Sequence, residues 1–252
     1  MELVVLTALG VGGATLIGAI IGFVFNKVTH TFSDIVLSFA AGVMFSAAVI
    51  GLILPAVEKG GKYGIYIAVL GIFLGAIFVN LLDKLIPHSH EVFGVENEKH
   101  NDNHQRISKV MLFVLAIAIH NLPEGLAAGV VFGVGNNAEA LIIAGGIALQ
   151  NIPEGMAIIG PMLGAGISKK RTFVLAALTG VVEVVGTFIG YFAVNVASAI
   201  LPYALAFAGG TMLYIISDEM IPETHAHGSQ RGATYAFLVG FCLMLIFDFF
   251  WG

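Results

Sequence analysis

Cysteine is nearly missing. The 252 residues hold one, Cys242, inside an apolar stretch. An internal disulfide is therefore excluded, and so is a metal centre built from clustered thiolates. Charge is scarce as well: Asp, Glu, Lys and Arg make up 11% of the chain, against 58% hydrophobic residues. A soluble domain of this length cannot hide that much apolar surface. The net charge of −5 says little about partners, because where charges lie matters more than their sum, and no nucleic-acid partner is expected. What is abundant is glycine, 32 residues of it, together with alanine. Such small residues suit close helix–helix packing in lipid. The expectation is an all-α integral membrane protein, a single polytopic domain over 1–252. The N-terminal segment has no basic n-region or small-residue cleavage site, so 3–25 reads as a first membrane helix rather than a signal peptide.

A span needs roughly 20 apolar residues. That rule predicts eight: 3–25, 34–54, 63–85, 107–132, 138–162, 172–195, 200–221 and 232–251. Between the third and fourth lies a polar stretch, 86–106, with His88, His90, Glu91, Glu96, Glu98, Lys99, His100, Asp102, His104 and Arg106. It reads as a flexible loop. With the N-terminus outside, nine basic residues (Lys27, Lys84, Lys99, Arg106, Lys109, Lys169, Lys170, Arg171 and Arg231) face the cytoplasm, and only Lys59 and Lys62 face out. This bias sets the orientation, puts both termini outside and makes 86–106 cytoplasmic, in a cell (inner or plasma) membrane. Proline-containing polar ends, Leu54-Pro55-Ala56-Val57-Glu58 and Ile221-Pro222-Glu223, recur in the second and seventh spans. They suggest a 3+2+3 arrangement, with an inverted repeat of three helices around helices 4 and 5.

Those two central spans carry near-copies of one pattern, 30 residues apart: His120-Asn121-Leu122-Pro123-Glu124-Gly125 and Gln150-Asn151-Ile152-Pro153-Glu154-Gly155. At about 100° per residue, His120, Asn121 and Glu124 share one helix face, as do Gln150, Asn151 and Glu154. A short connection makes the helices antiparallel neighbours whose polar faces can meet. Such groups are costly in hydrocarbon and mark a functional site by default. The bland alternative is that they bond one another and fix register. Two carboxylates brought together repel and resist ionisation, and a divalent cation between them removes that difficulty. Pro123 cannot donate to the carbonyl of Ile119, nor Pro153 to that of Leu149, so each kink frees a backbone oxygen beside the side chains.

Glu183, in Gly180-Val181-Val182-Glu183-Val184-Val185-Gly186, is a third carboxylate in apolar surroundings and must face a polar interior or be protonated. Met44 in span 2 reads as packing first and as a ligand second. Asp218 and Glu219 with Glu223, His225 and His227, near the cytoplasmic end of span 7, are either a solvated helix end or an exit-side relay site. The loop histidines His88, His90, His100 and His104 are either solvated or hold metal loosely. Imidazole with carboxylate and amide oxygens, and no thiolate, suits Zn²⁺, Fe²⁺, Mn²⁺ or Co²⁺. Three glutamates leave room for two ions.

The paired Pro-Glu-Gly motifs resemble the signature of the ZIP (Zrt/Irt-like) metal transporters, especially their prokaryotic, GufA-like branch, and the resemblance covers the whole chain. It implies uptake of divalent metals (zinc first, also iron, manganese, cobalt or cadmium) into the cytoplasm through a binuclear site, with zinc as substrate. It implies that His120, Glu124, Gln150 and Glu154 form one metal position. Asn121, Asn151 and Glu183 would complete the second, with Glu124 and Glu154 bridging and Met44 contributing from span 2. A homodimer, and an elevator-like movement of spans 1, 4, 5 and 6 against the rest, are also implied. Two departures stand out. Glu183 is followed by Val184 where many members have proline, and Asn151 is an amide where some have a carboxylate. The rival reading is an intramembrane metal-dependent hydrolase using a metal-bound water, although the His-Glu-x-x-His spacing of zinc proteases is missing. A gated channel differs from a carrier only in mechanism.

Overall fold

In the hydrocarbon of a bilayer every backbone N–H and C=O must be satisfied within the protein, which favours continuous helices. A computed structural model describes residues 1–24, 30–85, 102–134, 137–196, 198–228 and 230–251, and every regular element among them is helical. The α-helices are α1 (Glu2–Val24), α2 (His30–Ser46), α3 (Leu54–Lys59), α4 (Gly64–Leu85), α5 (Asp102–Val130), α6 (Asn137–Gly164), α7 (Lys169–Val196), α8 (Leu201–Ile215), α9 (Ile221–His225) and α10 (Gln230–Trp251). Seven segments are long and apolar enough to cross a membrane: Glu2–Val24, Thr31–Lys59, Gly61–Leu82, Ala140–Gly164, Lys169–Val194, Leu201–His225 and Gln230–Phe250. The chain is an integral membrane protein. α5, 29 residues long, is the other long helix, and it carries the first polar motif.

The expected ends of the second and seventh spans need correction. Helix does not stop at 54 or 221. It runs through π-helical stretches, Ala47–Ile53 and Ile216–Met220, into α3 and α9. Pro55 and Pro222 each fall in the first turn after the π stretch. There the hydrogen-bond ladder changes register and a missing N–H is tolerated. The expected loop 86–106 is also shorter at its far end, because α5 begins at Asp102. His88, His90, Glu91, Glu96, Glu98, Lys99 and His100 lie outside the described residues.

Packing sorts the helices into two sets. α1 lies along α6 and α7, and α5 along α7. In the other set α4 lies along α8, and α2 along α10. Lighter contacts, chiefly α2 with α6 and α5 with α8, join the sets. Across this junction runs a buried apolar core that includes Val43, Met44, Ala127, Ile143, Ile147 and Met212. A smaller core around Ile158, Ile159 and Met162 lies within the first set.

Candidate metal centre

Both polar motifs lie inside unbroken helix: Pro123 within α5, and Pro153 with Pro161 within α6. The glycine that ends each motif marks a close approach of backbones. A Cβ on Gly125 would strike the carbonyl oxygen of Glu183 in α7. One on Gly155 would strike the carbonyl oxygen of Thr15 in α1. Glycine thus lets α7 lie against the polar turn of α5, and α1 against that of α6, so four helices close around the motif pair.

Asn121, Glu124, Gln150, Asn151 and Glu183 are all fully buried, at 0% exposure. His120 and Glu154 are partly buried. Glu124 lies opposite Gln150 and within electrostatic reach of Glu154 and Glu183. The Asn151 amide donates to Glu183 Oε1 at 2.6 Å and to the Val11 carbonyl of α1 at 3.1 Å. Much of the rest has no partner. Both oxygens of Glu124, both polar atoms of Asn121 and of Gln150, Asn151 Oδ1 and Glu183 Oε2 make no hydrogen bond. Each unsatisfied buried polar group costs about 1–3 kcal/mol, and native interiors rarely leave several together. The bland alternative, groups that satisfy one another and fix register, accounts for the Asn151–Glu183 pair and the approach of Gln150 to Glu124, but not for the remaining atoms.

His120 lies within electrostatic reach of Glu154 and also reaches the second set of helices. Its Nε2 lies 2.9 Å from Glu219 Oε1, an ion pair if the ring is protonated. Glu219 sits in the π stretch before Pro222, so the π-helical segment delivers an acidic group from the second set of helices to a motif residue in the first. Sequence reasoning placed Glu219 only in the polar group at the end of span 7. That group is divided in the structure: His227 Nδ1 lies 3.1 Å from Asp34 Oδ1 of α2, and His225 Nδ1 lies 2.9 Å from the Ile221 carbonyl of its own helix. Asp34, 3% exposed, was not singled out from the sequence. Its only signal there was an isolated acid at the start of an apolar run.

Met44 is fully buried among apolar neighbours of the junction core. Among the described residues no three His, Cys, Asp or Glu side chains close on one point. What converges is a mixed set, in which the amides Gln150 and Asn151 stand between the carboxylates. Nitrogen and oxygen donors of this kind, free of sulfur, suit divalent transition metals.

Fold and site together define an integral membrane protein that keeps carboxylate and amide groups unpaired inside its helix bundle. The chain belongs to the ZIP family: the family model described as "ZIP Zinc transporter" matches residues 95–248. It is 42% identical to the zinc transporter GufA of Myxococcus xanthus over 78% of each chain. It is 33% identical to the zinc transporter ZIPB of Bordetella bronchiseptica, over 93% of this chain and 77% of that one. The zinc transporter ZIP11 of Homo sapiens is 32% identical, over 94% and 93%. The hydrolase alternative finds no support among these relatives.

Proposed function

We propose that the protein carries divalent transition metals, zinc foremost, across the membrane into the cytoplasm through the cluster on α5, α6 and α7. The observation that carries this reading is the group of buried, unpartnered atoms on Asn121, Glu124, Gln150, Asn151 and Glu183. Their desolvation is offset when a cation occupies the space. His120, Glu124, Gln150 and Glu154 hold one ion. Asn121, Asn151 and Glu183 complete a second position, with Glu124 and Glu154 shared. Met44 contributes its thioether as a ligand from α2. Amide and carboxylate donors bind loosely enough to release their cargo.

The proposal extends to architecture. The chain crosses the membrane eight times, α5 included, with both termini outside, and works as a homodimer. Helix pairing supports an inverted repeat. Exchanging α1 with α7, α2 with α8, α4 with α10 and α5 with α6 turns α1–α6 into α5–α7 and α4–α8 into α2–α10, and returns α1–α7 to itself. The set α1, α5, α6 and α7 moves against the rest and exposes the site to each side in turn. Uptake of radiolabelled zinc into proteoliposomes tests the site. Wild type accumulates zinc, and Glu154→Ala loses at least about tenfold of the initial rate. Equal rates would remove Glu154 from the site.

A further inference from the structure

α1 contributes to the centre in a way the motifs do not announce. In a helix, a threonine hydroxyl ordinarily bonds the carbonyl three or four residues upstream. Thr179, Thr187, Thr211, Thr224 and Thr234 all do so here. Thr15 does not. It is 0% exposed, and its Oγ1 makes no well-formed hydrogen bond but lies near the Glu183 carboxylate. The reason lies next door. The carbonyl four residues upstream is that of Val11, and it already accepts from Asn151 Nδ2 at 3.1 Å. The same amide group holds Glu183 Oε1 at 2.6 Å. Thr15 is thereby left facing the Glu183 carboxylate, whose Oε2 is unpartnered, as is Asn151 Oδ1. The close approach of α1 to Gly155 is made at Thr15 itself, so the backbone that carries this hydroxyl is fixed against α6.

We infer that Thr15 is a metal ligand from α1, completing with Glu183 Oε2 and Asn151 Oδ1 an oxygen-only position that admits a harder divalent cation such as manganese as well as zinc. The His120 position offers an imidazole nitrogen. This one offers hydroxyl, amide and carboxylate oxygens, the donors suited to Mn²⁺, Mg²⁺ and Ca²⁺. Asn151 then has two tasks. Its NH₂ group aims Glu183 and occupies Val11, and its oxygen faces the ion. The inference rests on the metal-carrier reading and names the ion class of its second position.

The test uses the full chain purified in detergent, with Cys242→Ser so that no other thiol is present. Thr15→Cys, Thr15→Ser and Thr15→Val are made on that background. Titrating Thr15→Cys with cadmium is expected to raise the ultraviolet thiolate-to-cadmium charge-transfer band in proportion to protein, a signature that packing alone cannot produce. Thr15→Val, nearly isosteric, is expected to lose manganese affinity by at least about tenfold while zinc affinity changes less. Thr15→Ser is expected to keep both. A folded Thr15→Cys protein without the band, or unchanged manganese affinity in Thr15→Val, overturns the proposal. Zinc uptake by the Cys242→Ser parent separates the two readings. If it is intact while the band is missing, only the role of Thr15 fails. If the parent and wild type take up no zinc, the carrier reading fails.

Discussion

A glycine beside each motif glutamate sets how near the neighbouring helix can come. Gly125 leaves no room for a Cβ before the Glu183 carbonyl oxygen. Gly125→Ala is therefore expected to push α7 from α5 at the level of the carboxylates. Overpacking of this kind costs about 1–3 kcal/mol, and a chain of this length loses about 2–4 °C in Tm per kcal/mol. Gly160 of α6 is the control, because nothing lies within 4 Å of its virtual Cβ. Gly160→Ala should be neutral or slightly stabilising, since alanine is the better helix former by about 1 kcal/mol. Thermal melts of the two variants check this, and equal destabilisation at both positions would defeat it. At this scale the motif residues were legible in the sequence because period and spacing put them on shared faces. Thr15 was not. A lone threonine in an apolar helix carries no pattern, and its role depends on a carbonyl that Asn151, 136 positions away, takes from it.

Helices were legible as elements wherever 20 or so apolar residues ran together. Their ends were not, where a proline sat close by. Pro55 and Pro222 suggested breaks, yet the chain absorbs each one with a π stretch just upstream. Nothing in Ala47–Ile53 or Ile216–Met220 announces a change of ladder, because it is set by the helix beyond it. The consequence is functional. The π stretch adds rotation relative to a regular helix, and Glu219 inside it meets His120 at 2.9 Å. Pro222→Ala restores a backbone donor and lets the segment relax toward regular helix, where one residue of slip turns a side chain by about 100°. Zinc uptake in Pro222→Ala is expected to fall toward that of Glu219→Ala, and the double variant is expected to be no worse than the poorer single. Two variants that break one contact are non-additive. Additive losses in the uptake assay would show that proline and glutamate act separately.

For the whole molecule, the division into two helix sets makes a claim about motion. Within each set backbones approach closely at glycine, whereas the junction between sets is lined by larger side chains such as Val43, Ile143 and Ile147. Beside it, Val43 of α2, Leu141, Ile142, Gly145, Gly146 and Leu149 of α6, and Leu243, Met244 and Phe247 of α10 line an apolar cavity of about 410 Å³. Looser packing at a junction costs contact energy and permits sliding. Val43 and Gly146 face each other across it, with a Cβ built on Gly146 3.6 Å from a Val43 methyl. A sulfur taking the place of that methyl lies beside the Cβ of position 146, so a small approach of the two helices brings the pair to disulfide geometry, with Cβ atoms about 3.5–4.5 Å apart. Val43→Cys with Gly146→Cys, on the Cys242→Ser background, should cross-link on oxidation. If the set α1, α5, α6 and α7 must move past α2 for each ion carried, oxidation abolishes zinc uptake and a reductant restores it, while each single cysteine variant transports in both conditions. A cross-linked protein that still transports at the reduced rate would mean that the ions pass through a fixed pair of helix sets, as in a channel.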